Sequence, residues 1–112
     1  MNNLMTVLGF AQKAGKIASG ETATVQAITR KKASLVLVAL DASADTTVKF
    51  VELCLKNKIP AVKAGSKLEL GNAIGRSPRA CIAILDHGFA RAAMEALGAT
   101  TETLRSEEHG GV

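Results

Sequence analysis

Residues 35–40 read Leu-Val-Leu-Val-Ala-Leu, six consecutive apolar side chains dominated by branched types. The run is short for a buried helix and too uniform for a strand with one wet face, so it describes a strand covered on both sides. Asp41-Ala42-Ser43 closes it with turn and cap residues. The signature recurs at residues 80–85, Ala-Cys-Ile-Ala-Ile-Leu. Strands of this kind need helices above and below them, and the flanking sequence supplies candidates.

Upstream, Leu4, Val7, Leu8 and Ala11 fall at helical spacing and predict a first helix that stops near Gly15. Lys16 to Ser19 reads as a short strand or extended link. Gly20 then opens a second helix carrying Val25 and Ile28, with Arg30-Lys31-Lys32 at the end where cations suit the helix dipole. Downstream, Ser43 is placed to cap a third helix that buries Val48, Val51, Cys54 and Leu55. Pro60 breaks that helix, and Ala61 to Ala64 makes a second short strand. Ser66 caps a fourth helix with Leu70, Ala73 and Ile74 inward, ending at Gly75. Arg76-Ser77-Pro78-Arg79 is a basic loop, and Asp86-His87-Gly88 turns into a fifth helix carrying Phe89, Ala92, Ala93, Ala96 and Leu97 inward. Helices alternating with short strands predict an α/β fold, a three-layer α/β/α sandwich on a central mixed four-stranded sheet.

The chain of 112 residues is long enough for one domain, expected over residues 1–98, with a frayed tail over 99–112 whose only large apolar residues are Leu104 and Val112. Apolar residues at 47% and charged residues at 21% exclude an intrinsically disordered chain. No apolar run approaches the ~20 residues of a membrane span, and no basic stretch leads into an apolar one at the N-terminus, so the expected location is the cytoplasm. Cys54 and Cys81 lie far apart in apolar surroundings and read as buried thiols. The net charge is +4, and residues 1–98 hold 13 Lys and Arg against 7 Asp and Glu. A small basic domain points to a polyanionic partner such as RNA. With no Trp or Tyr and three Phe, recognition by base stacking is poorly supplied, leaving shape, phosphates and backbone donors.

Catalytic constellations fail on inspection. Gly15-Lys16 lies five residues after Gly9 rather than four, is followed by Ile17 instead of Ser or Thr, and trails a helix rather than a strand, so it is no phosphate-binding P-loop. Asp41, Ser43 and His87 have the residue types of a nucleophilic triad without a nucleophile elbow, and strand-end, cap and turn roles account for them. His87 and His109 are too isolated for zinc. No enzyme, cofactor, metal or small-molecule substrate is expected. What remains is the Gly20 junction, a helix start with free amides and Lys13 and Lys16 nearby in sequence, together with the Arg76–Arg79 loop. An alternating fold allows both to lie at one end of the sheet.

The ordered series Gly9-Phe10-Ala11-Gln12-Lys13-Ala14-Gly15-Lys16, Ser19-Gly20-Glu21, Ala33 to Ser43, Lys58-Ile59-Pro60 and Leu70-Gly71-Asn72-Ala73-Ile74-Gly75 resembles the ribosomal L-seven-Ae family, its short bacterial members most closely. The resemblance spans about Leu4 to Leu97. It implies an α/β/α sandwich that binds kink-turns, RNA helices bent sharply at an internal loop flanked by sheared G·A pairs. The family's recognition helix then begins at Gly20, and its Asn-Glu-x-x-Lys signature falls on Thr22, Ala23 and Gln26, a departure at all three side chains. The family's apolar loop falls on Arg76-Ser77-Pro78, with Arg79 after it.

The resulting expectation is a non-enzymatic, ribosomal or ribosome-associated protein that holds a kink-turn-like structured RNA. Lys13, Lys16 and Lys67 would neutralise phosphates, with Arg76, Ser77 and Arg79 on the loop. The amides of Gly20 and Glu21 would hold the RNA backbone, and Thr22 and Gln26 would read base edges. The missing signature side chains keep a second reading open: a scaffold that lost kink-turn specificity and serves as a general structured-RNA binder or a protein-interaction module.

Overall fold

The computed structural model describes residues 3–98, so the tail expected over 99–112 lies outside the described residues. Nine elements alternate in the expected order: α1 (Asn3–Lys13), β1 (Ile17–Ser19), α2 (Glu21–Thr29), β2 (Leu35–Val38), α3 (Ala44–Asn57), β3 (Ala61–Lys63), α4 (Lys67–Ala73), β4 (Cys81–Ile84) and α5 (His87–Leu97). The strands form one sheet in the order β1-β4-β2-β3. β4 runs antiparallel to both β1 and β2, while β2 and β3 are parallel, so the sheet is mixed.

The two-residue period of the strands divides the core. Leu35, Leu37, Val62, Ile82 and Ile84 face one way and pack with Leu4 and Leu8 of α1, Leu70 of α4, and Ala90 and Ala93 of α5. Val36, Val38, Ala61, Cys81 and Ala83 face the other way and pack with Ala27 and Ile28 of α2 and Phe50 and Cys54 of α3. Both faces of β2 and β4 are therefore sealed from water, which is why their sequences show no polar alternation. Ser43 and Asp86 cap α3 and α5 through their side chains. Ser66 caps α4 in a reciprocal box with Glu69.

Two details differ from the sequence expectation. Strand β2 ends at Val38, and Leu40, read as the last residue of the buried run, is 62% exposed. Its N–H donates to the Gly65 carbonyl at 2.7 Å, beyond the last registered pair of β2 with β3, where the chain turns toward α3 and no helix covers the side chain. Helix α3 is rotated from its expected phase: Phe50 and Cys54 are buried, Val51 is half-buried, and Val48 and Leu55 are 52% and 37% exposed. The phenyl ring carries the largest apolar area on this helix, and turning Val48 inward would lift that ring into water. Phe50→Ala is expected to destabilise the fold by about 3–5 kcal/mol. Val48→Ala should cost under about 0.5 kcal/mol, and urea unfolding of the two variants distinguishes the phases.

Cys54 and Cys81 are buried free thiols. Burial, with Cys81 as the second cause, pushes the Cys54 thiol from an ordinary 9.0 up to about 12. Burial likewise raises Cys81, opposed in part by the adjacent Thr24. The fold thus favours the protonated thiols, and above pH 9 the unfolded chain loses protons that the folded chain keeps. Stability should fall as pH rises from about 9 toward 12. Urea midpoints measured over that range should decline less steeply in Cys54→Ala than in the parent chain.

Candidate functional site

Placing β4 between β1 and β2 brings the end of β1 beside the start of β4, although about sixty residues separate them in the chain. The Gly20 N–H donates to the Cys81 carbonyl at 3.1 Å, and Arg79 Nε donates to Ser19 Oγ at 3.2 Å. Between them opens a cleft of about 520 Å³, walled by Ser19, Gly20, Glu21, Thr22, Ala23 and Gln26 on one side and Pro78, Arg79 and Ala80 on the other.

The start of α2 differs from those of α3, α4 and α5. Its cap is Gly20, with φ 90° and ψ 165°, and no side chain caps the helix. That φ strains any residue with a Cβ, so glycine is required, and glycine brings no capping oxygen. The amides of Glu21, Thr22 and Ala23 precede the first helical hydrogen bond, Thr24 N–H to the Gly20 carbonyl at 3.0 Å. They are donors left at the positive end of a helix dipole, on the cleft wall. Gly20 was expected to offer its own amide, but that N–H is spent on Cys81, so the available donors begin one residue later.

The opposite wall is braced from within. Arg79 Nη1 donates to Ser77 Oγ at 2.7 Å and to the Ser77 carbonyl at 3.2 Å, while its Nε holds Ser19. The expected phosphate ligand therefore doubles as a strut, with Nη2 left for an acceptor outside the chain. The loop before it lies directly on α4: a Cβ on Gly71 would stand 2.2 Å from the Ser77 carbonyl oxygen and 2.9 Å from that of Arg76. Lys67 is held by its backbone, its N–H donating to Asp41 Oδ1 at 2.8 Å and its carbonyl accepting from the Arg79 N–H at 3.0 Å. Its side chain and that of Arg76 are exposed at the same end of the sheet.

Glu21 turns away from the cleft amides, its carboxylate accepting from Lys49 Nζ at 3.5 Å and Thr46 Oγ1 at 3.4 Å on α3. Thr22 and Gln26 are exposed on the cleft, one turn apart, as their spacing requires. Behind them Thr24 is fully buried beside the Cys81 thiol. Lys13 and Lys16 are not brought to this site. Lys16 precedes β1, and its carbonyl accepts from the Leu85 N–H at the far end of β4, a strand's length from Gly20. Ser19 and Pro78 lie in stretches the sequence reading quoted without being named there as ligands, and Ala80 was not singled out at all; the β1–β4 pairing brings the three to one cleft. Asp41 was read as a plain strand end and proves to anchor Lys67.

These features define a small α/β/α sandwich whose rim offers uncapped helix amides opposite an arginine-braced loop. Among the described residues no group of His, Cys, Asp and Glu is placed to hold a metal ion, and no helix is long and apolar enough to cross a membrane. A family model described as the ribosomal protein L7Ae/L30e/S12e/Gadd45 family matches residues 2–94, and the chain belongs to that family. It is 39% identical over 84 residues to an RNA-binding protein YlxQ of Bacillus subtilis, covering 75% of this chain and 84% of that one. It is 32% identical over 79 residues to the large ribosomal subunit protein eL8 of Thermoplasma volcanium, covering 70% and 65% of the two chains. Among solved structures, the Giardia lamblia 15.5kD RNA binding protein superposes with a TM-score of 0.73 at 26% identity, over 86% of this chain and 82% of that one.

Because the braced loop rests on Gly71, Gly71→Ala is expected to cost about 1–3 kcal/mol in urea unfolding. The same substitution should loosen the Arg79 contacts, seen as faster amide exchange at residues 76–80.

Proposed function

We propose that this chain is a non-enzymatic, cytoplasmic, ribosome-associated RNA-binding protein that grips a bent, kink-turn-like RNA in the cleft between Gly20 and Arg79. The observation that carries the reading is the uncapped start of α2, whose Glu21, Thr22 and Ala23 line the cleft opposite Arg79. A phosphate or a base edge supplies the acceptors those amides lack. Relatives described as RNA-binding and ribosomal proteins support it.

Lys67, Arg76 and the free edge of Arg79 neutralise phosphates on this reading, with Ser77 on the loop, and Thr22 and Gln26 meet bases. The Asn-Glu-x-x-Lys side chains of the family resemblance are absent, leaving one hydroxyl and one uncharged amide. A good bidentate base contact discriminates by about 1–3 kcal/mol, so losing such contacts shifts recognition from base identity toward backbone shape. The backbone amides are untouched by those substitutions, and they are what a sharply bent strand engages.

Calorimetric titration with a kink-turn RNA and with a control lacking the G·A pairs, at two salt concentrations, tests the proposal. Tighter binding to the kink-turn is expected, and Gln26→Ala should narrow the difference between the two RNAs. Equal, salt-sensitive affinity for both would make the chain a general structured-RNA binder, and binding to neither would favour the protein-interaction reading.

A further inference from the structure

The charge of this chain is concentrated away from the cleft. At the cleft end of the sheet the loops, with the strand end and first helical turns that flank them, hold Lys63, Lys67, Arg76 and Arg79 against Glu21, Asp41, Asp45 and Glu69. At the opposite end, where β2 and β3 begin and β4 finishes, the end of α1 and the loops bring together Lys13, Lys16, Arg30, Lys31, Lys32 and Lys58. Backbone hydrogen bonds fix that assembly: Leu85 N–H to the Lys16 carbonyl at 2.9 Å, Ser34 N–H to Ile84 at 2.7 Å, and Val36 N–H to Pro60 at 3.0 Å. All six cations are exposed, and the one ion pair among the described residues is Lys49 with Glu21, elsewhere. The single carboxylate in these loops, Asp86, spends an oxygen on the Phe89 N–H at 2.9 Å.

Helices α1, α2 and α3 all end here, and cations suit helix C-termini. Three such ends carry a negative charge of about 1.5 in total, which six cations far exceed. Two of the six also occupy unusual backbone. Lys31 and Lys58 have φ of 60° and 61° where α2 and α3 end, a conformation and position that ordinarily select glycine or asparagine. A charged residue stands at each position where a neutral one fits the backbone better.

We propose that this end of the sheet is a second binding surface, distinct from the cleft, that holds the phosphate backbone of an RNA double helix. Lysine-rich surface suits phosphates met as point charges. These loops contain no aromatic residue, the single exposed Phe10 of α1 is no stacking platform for successive bases, and their large apolar residues, Ile59 and Leu85, are buried and half-buried rather than presented as anchors of a protein interface. Contact is therefore with the backbone of a helix, independent of its sequence. The surface stands whether or not the cleft selects kink-turns.

The test uses a plain RNA duplex with no internal loop, titrated by fluorescence anisotropy across a salt series. The double variant Lys31→Asn with Lys58→Asn removes two charges while keeping a residue suited to positive φ, so its thermal midpoint should equal or exceed that of the parent. Its salt slope should fall by about two units, with affinity at 0.1 M salt reduced by up to roughly a hundredfold. Lys31→Arg with Lys58→Arg should retain the parent slope. A parent chain without measurable affinity for the duplex at low salt, or an Asn variant with an unchanged slope, overturns the proposal. Loss of slope in a protein that shows no preference for G·A pairs would sustain this surface and sink the kink-turn reading alone.

Discussion

Insertion of β4 between β1 and β2 is the constraint on which the rest of the molecule depends. It satisfies both backbone edges of the last strand, seals a hydrophobic core on each side of the sheet, and joins the ends of a chain whose first and last strands would otherwise be remote. The Gly20 N–H to Cys81 bond and the Arg79 to Ser19 bond are local consequences of that pairing. Shift the register of β1 on β4 by one residue and both are lost, along with the alignment of the helix amides with the loop. The cleft is thus a product of sheet topology rather than of a contiguous motif.

The same topology polarises the molecule. Helices α1, α2 and α3 deliver their C-termini to one end of the sheet, and the loops that follow carry most of the excess cations. The other end receives the α2, α3 and α4 N-termini, whose first turns contain Glu21, Asp45 and Glu69. Helix dipoles account for the sign of each cluster, though not for the size of the basic one. Net charge alone would have placed a polyanion anywhere on the surface, whereas the fold separates a cleft with oriented donors and balanced charge from a rim that is simply cationic.

Much of this architecture was readable in the sequence, and the limits of that reading are physical. The runs at 35–40 and 80–85 announced strands buried on both faces because no polar residue interrupts them. Serine caps and Pro60 placed the boundaries of α3 and α4. The inward face of α3 was misread because Val48, Val51 and Leu55 also satisfy a helical period, and only the size of Phe50 decides between phases. At the site, the proximity of Gly20 to the Arg76–Arg79 loop was foreseeable from alternation. That Lys13 and Lys16 lie at the other end was not, since three residues of extended chain in β1 are enough to carry them across the sheet. The loss of the Gly20 amide to Cys81 needed the strand register, which no spacing along the chain encodes.

The seat of the Arg76–Arg79 loop on Gly71, together with its arginine strut, has a consequence for how any association is shared between partners. Little ordering is left for this wall to undergo on binding, so the entropic cost of forming a complex falls on whatever polymer enters. On the proposed reading the protein would act as a mould, holding a flexible guest in one member of its conformational ensemble rather than meeting it halfway.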